Sequence, residues 1–240
     1  MSNDPGDPSR PDPGTGRAWL PYVAPMATFL LLTSVEDWLP KSGGGPHSPY
    51  YPAFYAAKMA AVAAVMVACR STWRDLLPRP GPGTTILAVG LGLLVTGLWV
   101  GLDGRYPVFG GVGSRAAFDP NGLSPAGRAG FLAVRFLGLV VLVPLFEELF
   151  WRSFVVRWII DPDRFRDVPI GRVTPVAAAA TAALFAVEHP AEWLPALLTG
   201  GLWAWLLHRT KSVSACFVSH AVANLGLGLY VLATGNWRFW

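Results

Sequence analysis

Charge and sulfur are both scarce in this chain. Only 14% of its 240 residues are Asp, Glu, Lys or Arg, against ~25% in soluble domains, so an ordinary water-soluble fold is excluded as the first reading. The two cysteines, Cys69 and Cys216, lie in apolar segments; they imply no disulfide framework and form no CxxC pair for redox or metal work. The HExxH helix signature of zinc peptidases is missing. Basic residues form no long stripe, so nucleic acid is not an expected partner. No internal repeat is visible, which argues against a carrier built from inverted repeats. Residues 1–17, MSNDPGDPSRPDPGTGR, lack the apolar core of a cleavable signal. They read as a disordered cytoplasmic tail.

What the chain does have is apolar length. Hydrophobic residues make up 52% of it, and a helical span needs about 20 mostly apolar residues. Seven stretches qualify, at roughly 18–35, 53–70, 85–102, 129–158, 174–189, 191–208 and 213–234. The expected fold class is therefore all-α: a polytopic transmembrane helix bundle of seven or eight spans enclosing a polar cavity, with residues 18–240 as one membrane domain. Turn chemistry separates the spans, as in Lys41-Ser42-Gly43-Gly44-Gly45-Pro46 and Asp119-Pro120-Asn121-Gly122. Lys and Arg concentrate in the N-terminal tail and in loops two, four and six, which predicts a cytoplasmic N-terminus. Trp19, Trp38, Trp73, Trp158 and Trp237 fall near span ends, as interfacial anchors do. The lipid bilayer is the first partner implied.

Three polar groupings interrupt these apolar helices. The first is Glu147-Glu148-Leu149-Phe150-Trp151-Arg152, inside a run that otherwise reads as a pure span. An ionisable group at mid-bilayer costs at least ~2.5–3.5 kcal/mol, so three together mark a functional site by default. At helical spacing Glu148 and Arg152 share a face and can pair, while Glu147 points about 100° away. That geometry makes Arg152 the holder of Glu148 and leaves Glu147 as a usable base. Pro144, one turn earlier, cannot donate a backbone hydrogen bond and predicts a kink with the Val140 carbonyl left over. The second grouping is Phe185-Ala186-Val187-Glu188-His189-Pro190, where Phe185 and His189 share a face and Pro190 stops the helix. The third is His220-Ala221-Val222-Ala223-Asn224, an imidazole and a carboxamide projecting from one face. Each has a plain structural reading as well: a charge cluster, an interfacial histidine, polar glue between helices. Taken together they supply a carboxylate and an imidazole for general-base activation of water, with donors for an oxyanion.

The ordered set EExxxR, FxxxH and HxxxN on successive membrane helices resembles the CAAX protease and bacteriocin-processing (CPBP) family. Its members include the type II CAAX prenyl endopeptidases, which are glutamate-dependent intramembrane proteases. The resemblance covers roughly residues 129–234. It implies that Glu147 with His189 activates the attacking water, that His220 with Asn224 stabilises the oxyanion, and that Glu148 and Arg152 support them. It implies no cofactor, a membrane-embedded protein or peptide as substrate, and residence in a bacterial inner membrane. The segments EHPAEWLPALLTGGLWAWL and GLYVLATGNWRFW are similar to a bacterial subgroup associated with exosortase-type protein sorting. Two other readings stay open on the residues alone. One is a zinc-dependent protease with Glu147, Glu148, His189 and His220 as ligands; the other is a non-catalytic scaffold or immunity-type binder.

Overall fold

The computed structural model describes residues 17–39, 49–108 and 118–239. The tail expected at 1–17 lies, except for Arg17, outside the described residues, as does the turn Lys41–Pro46. Among the described residues the chain is helical without strands, as the apolar periodicity predicts. Seven main helices run in order: α1 Leu20–Val35, α2 Tyr51–Ala68, α3 Pro82–Leu102, α4 Pro125–Ile160, α5 Pro175–Glu188, α6 Trp193–Thr210 and α7 Val213–Thr234. Four of them, α2, α3, α4 and α7, are long and apolar enough to cross a bilayer by themselves. The outward-facing side chains fit lipid contact: Leu31, Ile86, Leu93, Val187 and Leu229 are each more than half exposed.

Local sequence sets the helix starts. Ser124, Thr174 and Ser212 each accept a hydrogen bond from the backbone N–H three residues on, capping α4, α5 and α7. Proline follows directly at Pro125 and Pro175, where a missing N–H is harmless. Small residues then let helices close. A Cβ on Gly92 of α3 would strike the Ser219 carbonyl and Val222 of α7, and one on Gly200 of α6 would strike the Ala182 backbone of α5. Thr96 adds a hydrogen bond from its Oγ1 to the Ala223 carbonyl, 3.2 Å, across the α3–α7 pair. Contacts are densest in these two pairs, α3 with α7 and α5 with α6.

The central element is α4, 36 residues long, about 54 Å at ~1.5 Å per residue. It touches α1 and α2 on one side and α7 on the other. Two of its stretches, Gly138–Leu142 and Leu149–Val155, are π-helical. The first changes the expectation set by Pro144. In π register the carbonyl of residue i pairs with the N–H of i+5, as Gly138 does with Val143, so the proline deprives Leu139 rather than Val140. The Asn224 side chain of α7 fills that gap, its Nδ2 donating to the Leu139 carbonyl at 2.8 Å.

Candidate active site

The acidic motif sits where α4 faces α7. Glu147 is 4% exposed, Glu148 and Arg152 0%, and His220 4%. Glu148 is shared by two partners. Its Oε1 lies 2.9 Å from His220 Nδ1 and its Oε2 lies 3.4 Å from Arg152 Nε. An ionised carboxylate only accepts, so Nδ1–H donates and the other ring nitrogen turns toward Glu147. His220 Nε2 is 4.0 Å from Glu147 Oε2, and that oxygen has no hydrogen-bond partner. Two carboxylates, one guanidinium and one imidazole are thus locked together in an apolar interior. The pairing of Glu148 with Arg152 is as the spacing predicts; the bond to His220, 72 residues away, is a tertiary fact.

Aromatic rings extend the cluster. The Arg152 guanidinium lies 5.7 Å from the Phe185 ring and 5.5 Å from the Trp203 ring, with its Nη1 and Nη2 free of hydrogen bonds. Cation–π attraction, ~2 kcal/mol or more when desolvated, compensates part of that loss. Trp203 also packs against His220, the rings tilted and 4.3 Å apart, and is itself fixed by Nε1–H donation to Ser219 Oγ, 3.0 Å. Ring order therefore runs His189, Phe185, Trp203, His220, with neighbouring centroids 4.6, 5.8 and 4.3 Å apart.

His189 ends α5. Its Nδ1 lies 2.9 Å from the Phe185 carbonyl, and its ring is held between Phe185 and the edge-on indole of Trp99, 5.6 Å away. α4 and α5 run antiparallel, and Phe185 packs against Trp151 at 6.0 Å. One turn beyond Phe185 is His189; one turn back from Trp151 on the antiparallel helix is Glu147. The two residues thus each lie one turn from the Phe185–Trp151 contact, and Glu188 stands within electrostatic reach of Glu147. α5 is short, 14 residues.

Of the six residues singled out by sequence, Glu147, Glu148, Arg152 and His220 form one contact cluster. His189 stands beside it across Phe185, and Asn224 is one turn from His220 with its amide on Leu139. A small apolar crevice lined by Tyr22, Pro25, Phe146 and Leu149 lies on another side of α4 and includes none of the acids. Among the described residues no three His, Cys, Asp or Glu side chains are placed to hold a metal ion; the Glu148 oxygens turn to His220 and Arg152 instead. Sequence reading missed Trp99 and Trp203, which stand inside the apolar runs GLWVGL and GLWAWLL with no polar neighbour to mark them.

Fold and site together define a polytopic membrane helix bundle with a buried acid–imidazole centre. Residues 129–226 match the family described as Type II CAAX prenyl endopeptidase Rce1-like. That segment holds Glu147, Glu148, Arg152, His189, His220 and Asn224. The match supports protease activity of the CAAX type in an integral membrane protein. No curated protein and no solved structure gives a significant match.

Proposed function

We propose that the protein is an intramembrane endopeptidase that hydrolyses a peptide bond of a membrane-associated protein or peptide with a water activated by Glu147 and His189. The observation that carries this reading is that Glu147 and His189 each lie one turn from the Phe185–Trp151 contact, with a Glu147 oxygen that has no hydrogen-bond partner. Glu147 takes a proton from water, the oxygen attacks the carbonyl carbon, and the same proton passes to the leaving amine as the C–N bond breaks. In this reading the oxyanion donors are an Nε2–H on His220, present only when the ring carries a second proton, and the N–H of Asn224 Nδ2 left over from its bond to the Leu139 carbonyl. In this scheme Glu148 orients His220, as carboxylates orient catalytic imidazoles, and Arg152 balances Glu148. No covalent acyl-enzyme is required and no cofactor takes part.

The substrate enters from the His189 side, because that residue is partly exposed while the acids behind it are sealed. With the N-terminus cytoplasmic, this is the extracytoplasmic half of the bilayer. A membrane-embedded peptide suits the apolar surroundings. The chain in nanodiscs with a panel of lipidated and unlipidated peptides tests the reading: Glu147→Ala and His189→Ala should each abolish cleavage while thermal unfolding stays cooperative. Full activity in either variant sinks it. Activity lost to a chelator and restored by zinc would replace it with the metal-dependent alternative.

A further inference from the structure

A second buried charge cluster lies on α4 just beyond the acids and has no part in the chemistry above. Asp75, in the turn Arg70–Leu76, presents one oxygen, Oδ2, to three donors: Tyr22 OH of α1 at 2.7 Å, and Ser153 Oγ at 2.6 Å and Arg157 Nη2 at 2.7 Å of α4. All four residues are buried. Arg157 is held further by the rings of Tyr22 and Phe165, 5.9 and 5.6 Å away, and its Nε donates to the Ser153 carbonyl. Asp75 and Tyr22 lie outside the segment 129–226, so nothing in the family match speaks for them.

A buried ion pair is weak evidence for stability, since desolvation offsets most of the Coulomb gain; its better-attested use is to select one arrangement among several. Here there is an arrangement to select. Ser153 lies within the π stretch Leu149–Val155 and Arg157 two residues past its end. π turns are rare and concentrate at functional sites. Returning this stretch to α register would rotate everything before it by about 100° relative to everything after it. Glu147 and Glu148 come before it; Ser153 and Arg157 are the anchored end. A slip of register would swing Glu148 away from His220.

The geometry points to Asp75 as a positioning residue: by gripping Ser153 and Arg157 it keeps Leu149–Val155 in π register and so keeps Glu147 and Glu148 turned toward His220. The functional half of this rests on the endopeptidase reading; the register half does not. The test uses the full chain in nanodiscs with two readouts. Asp75→Asn should lower kcat by at least about 10²-fold, the loss already expected of a misplacement on the order of 1 Å, with KM unchanged. It should also raise amide exchange in 147–157 at least about tenfold, the factor for a local opening ~1.4 kcal/mol easier, without change in the α3–α7 pair. Arg157→Gln should do the same, the double variant should be no worse than either single one, and Asp75→Glu should recover part of the loss. If Asp75→Asn does not fold, Ser153→Ala removes one donor and should show the same pattern more weakly. Unchanged exchange in 147–157, or protection lost equally throughout the bundle, overturns the proposal. If the wild-type chain cleaves nothing, the endopeptidase reading fails while the exchange arm still decides the register claim.

Discussion

Glu148 carries more than the helical spacing assigns to it. Arg152 at i+4 was legible, because two residues four apart on a helix must be neighbours; the imidazole of His220 was not, because only folding brings α7 against α4. The consequence is energetic as well as geometric. Removing one partner of a buried pair leaves the other charge uncompensated and costs about 3–5 kcal/mol. Arg152→Met should therefore lower the unfolding free energy by about that amount, and pairing it with Glu148→Gln should return part of it. A chemical-denaturation series in detergent checks this, and strict additivity of the two changes would contradict it. The same limit explains why Asp75 went unnoticed in the sequence: its partners Ser153 and Arg157 are 78 and 82 positions away, and no spacing rule reaches that far.

At the scale of the element, α4 is the helix whose irregularities matter. The six-residue set was readable because polar side chains in an apolar run are costly and therefore conspicuous. The π stretches were not, since backbone register leaves no mark on composition. Pro144 gave half of the answer. Its missing N–H was expected to orphan a carbonyl, and it does, but the π register moves the orphan to Leu139 and Asn224 supplies the replacement donor. This makes a specific prediction. Asn224→Ala should cost about 1–3 kcal/mol through the unsatisfied carbonyl, but much less in a Pro144→Ala background, where a backbone N–H is restored. A double-mutant cycle in thermal unfolding measures the difference; equal costs in both backgrounds would reject the linkage.

At the scale of the molecule, seven apolar stretches became seven helices, with boundaries within a few residues of the apolar limits. Hydropathy could not tell which helix is central, nor that Phe185 of the short α5 packs against Trp151 of α4. Both follow from packing, in which Gly92 and Gly200 allow helix pairs to close around α4. The positive end of the bundle, with Arg79 between α2 and α3, is proposed to face the cytoplasm, and the turn at Gly104 to face away from it. In a chain whose two natural cysteines are replaced by serine, Gly104→Cys should react with an impermeant maleimide in intact cells. Arg79→Cys should react only after permeabilisation, and the reverse pattern would invert the topology.

The most direct measurement is the turnover of Glu147→Gln, which keeps the shape of the side chain and removes its basicity. The account predicts a fall in kcat of about 10²–10⁴-fold, the usual worth of a general base, with the unfolding midpoint preserved. Turnover within a factor of a few of the wild-type chain would contradict the assignment of Glu147 as the base that activates water.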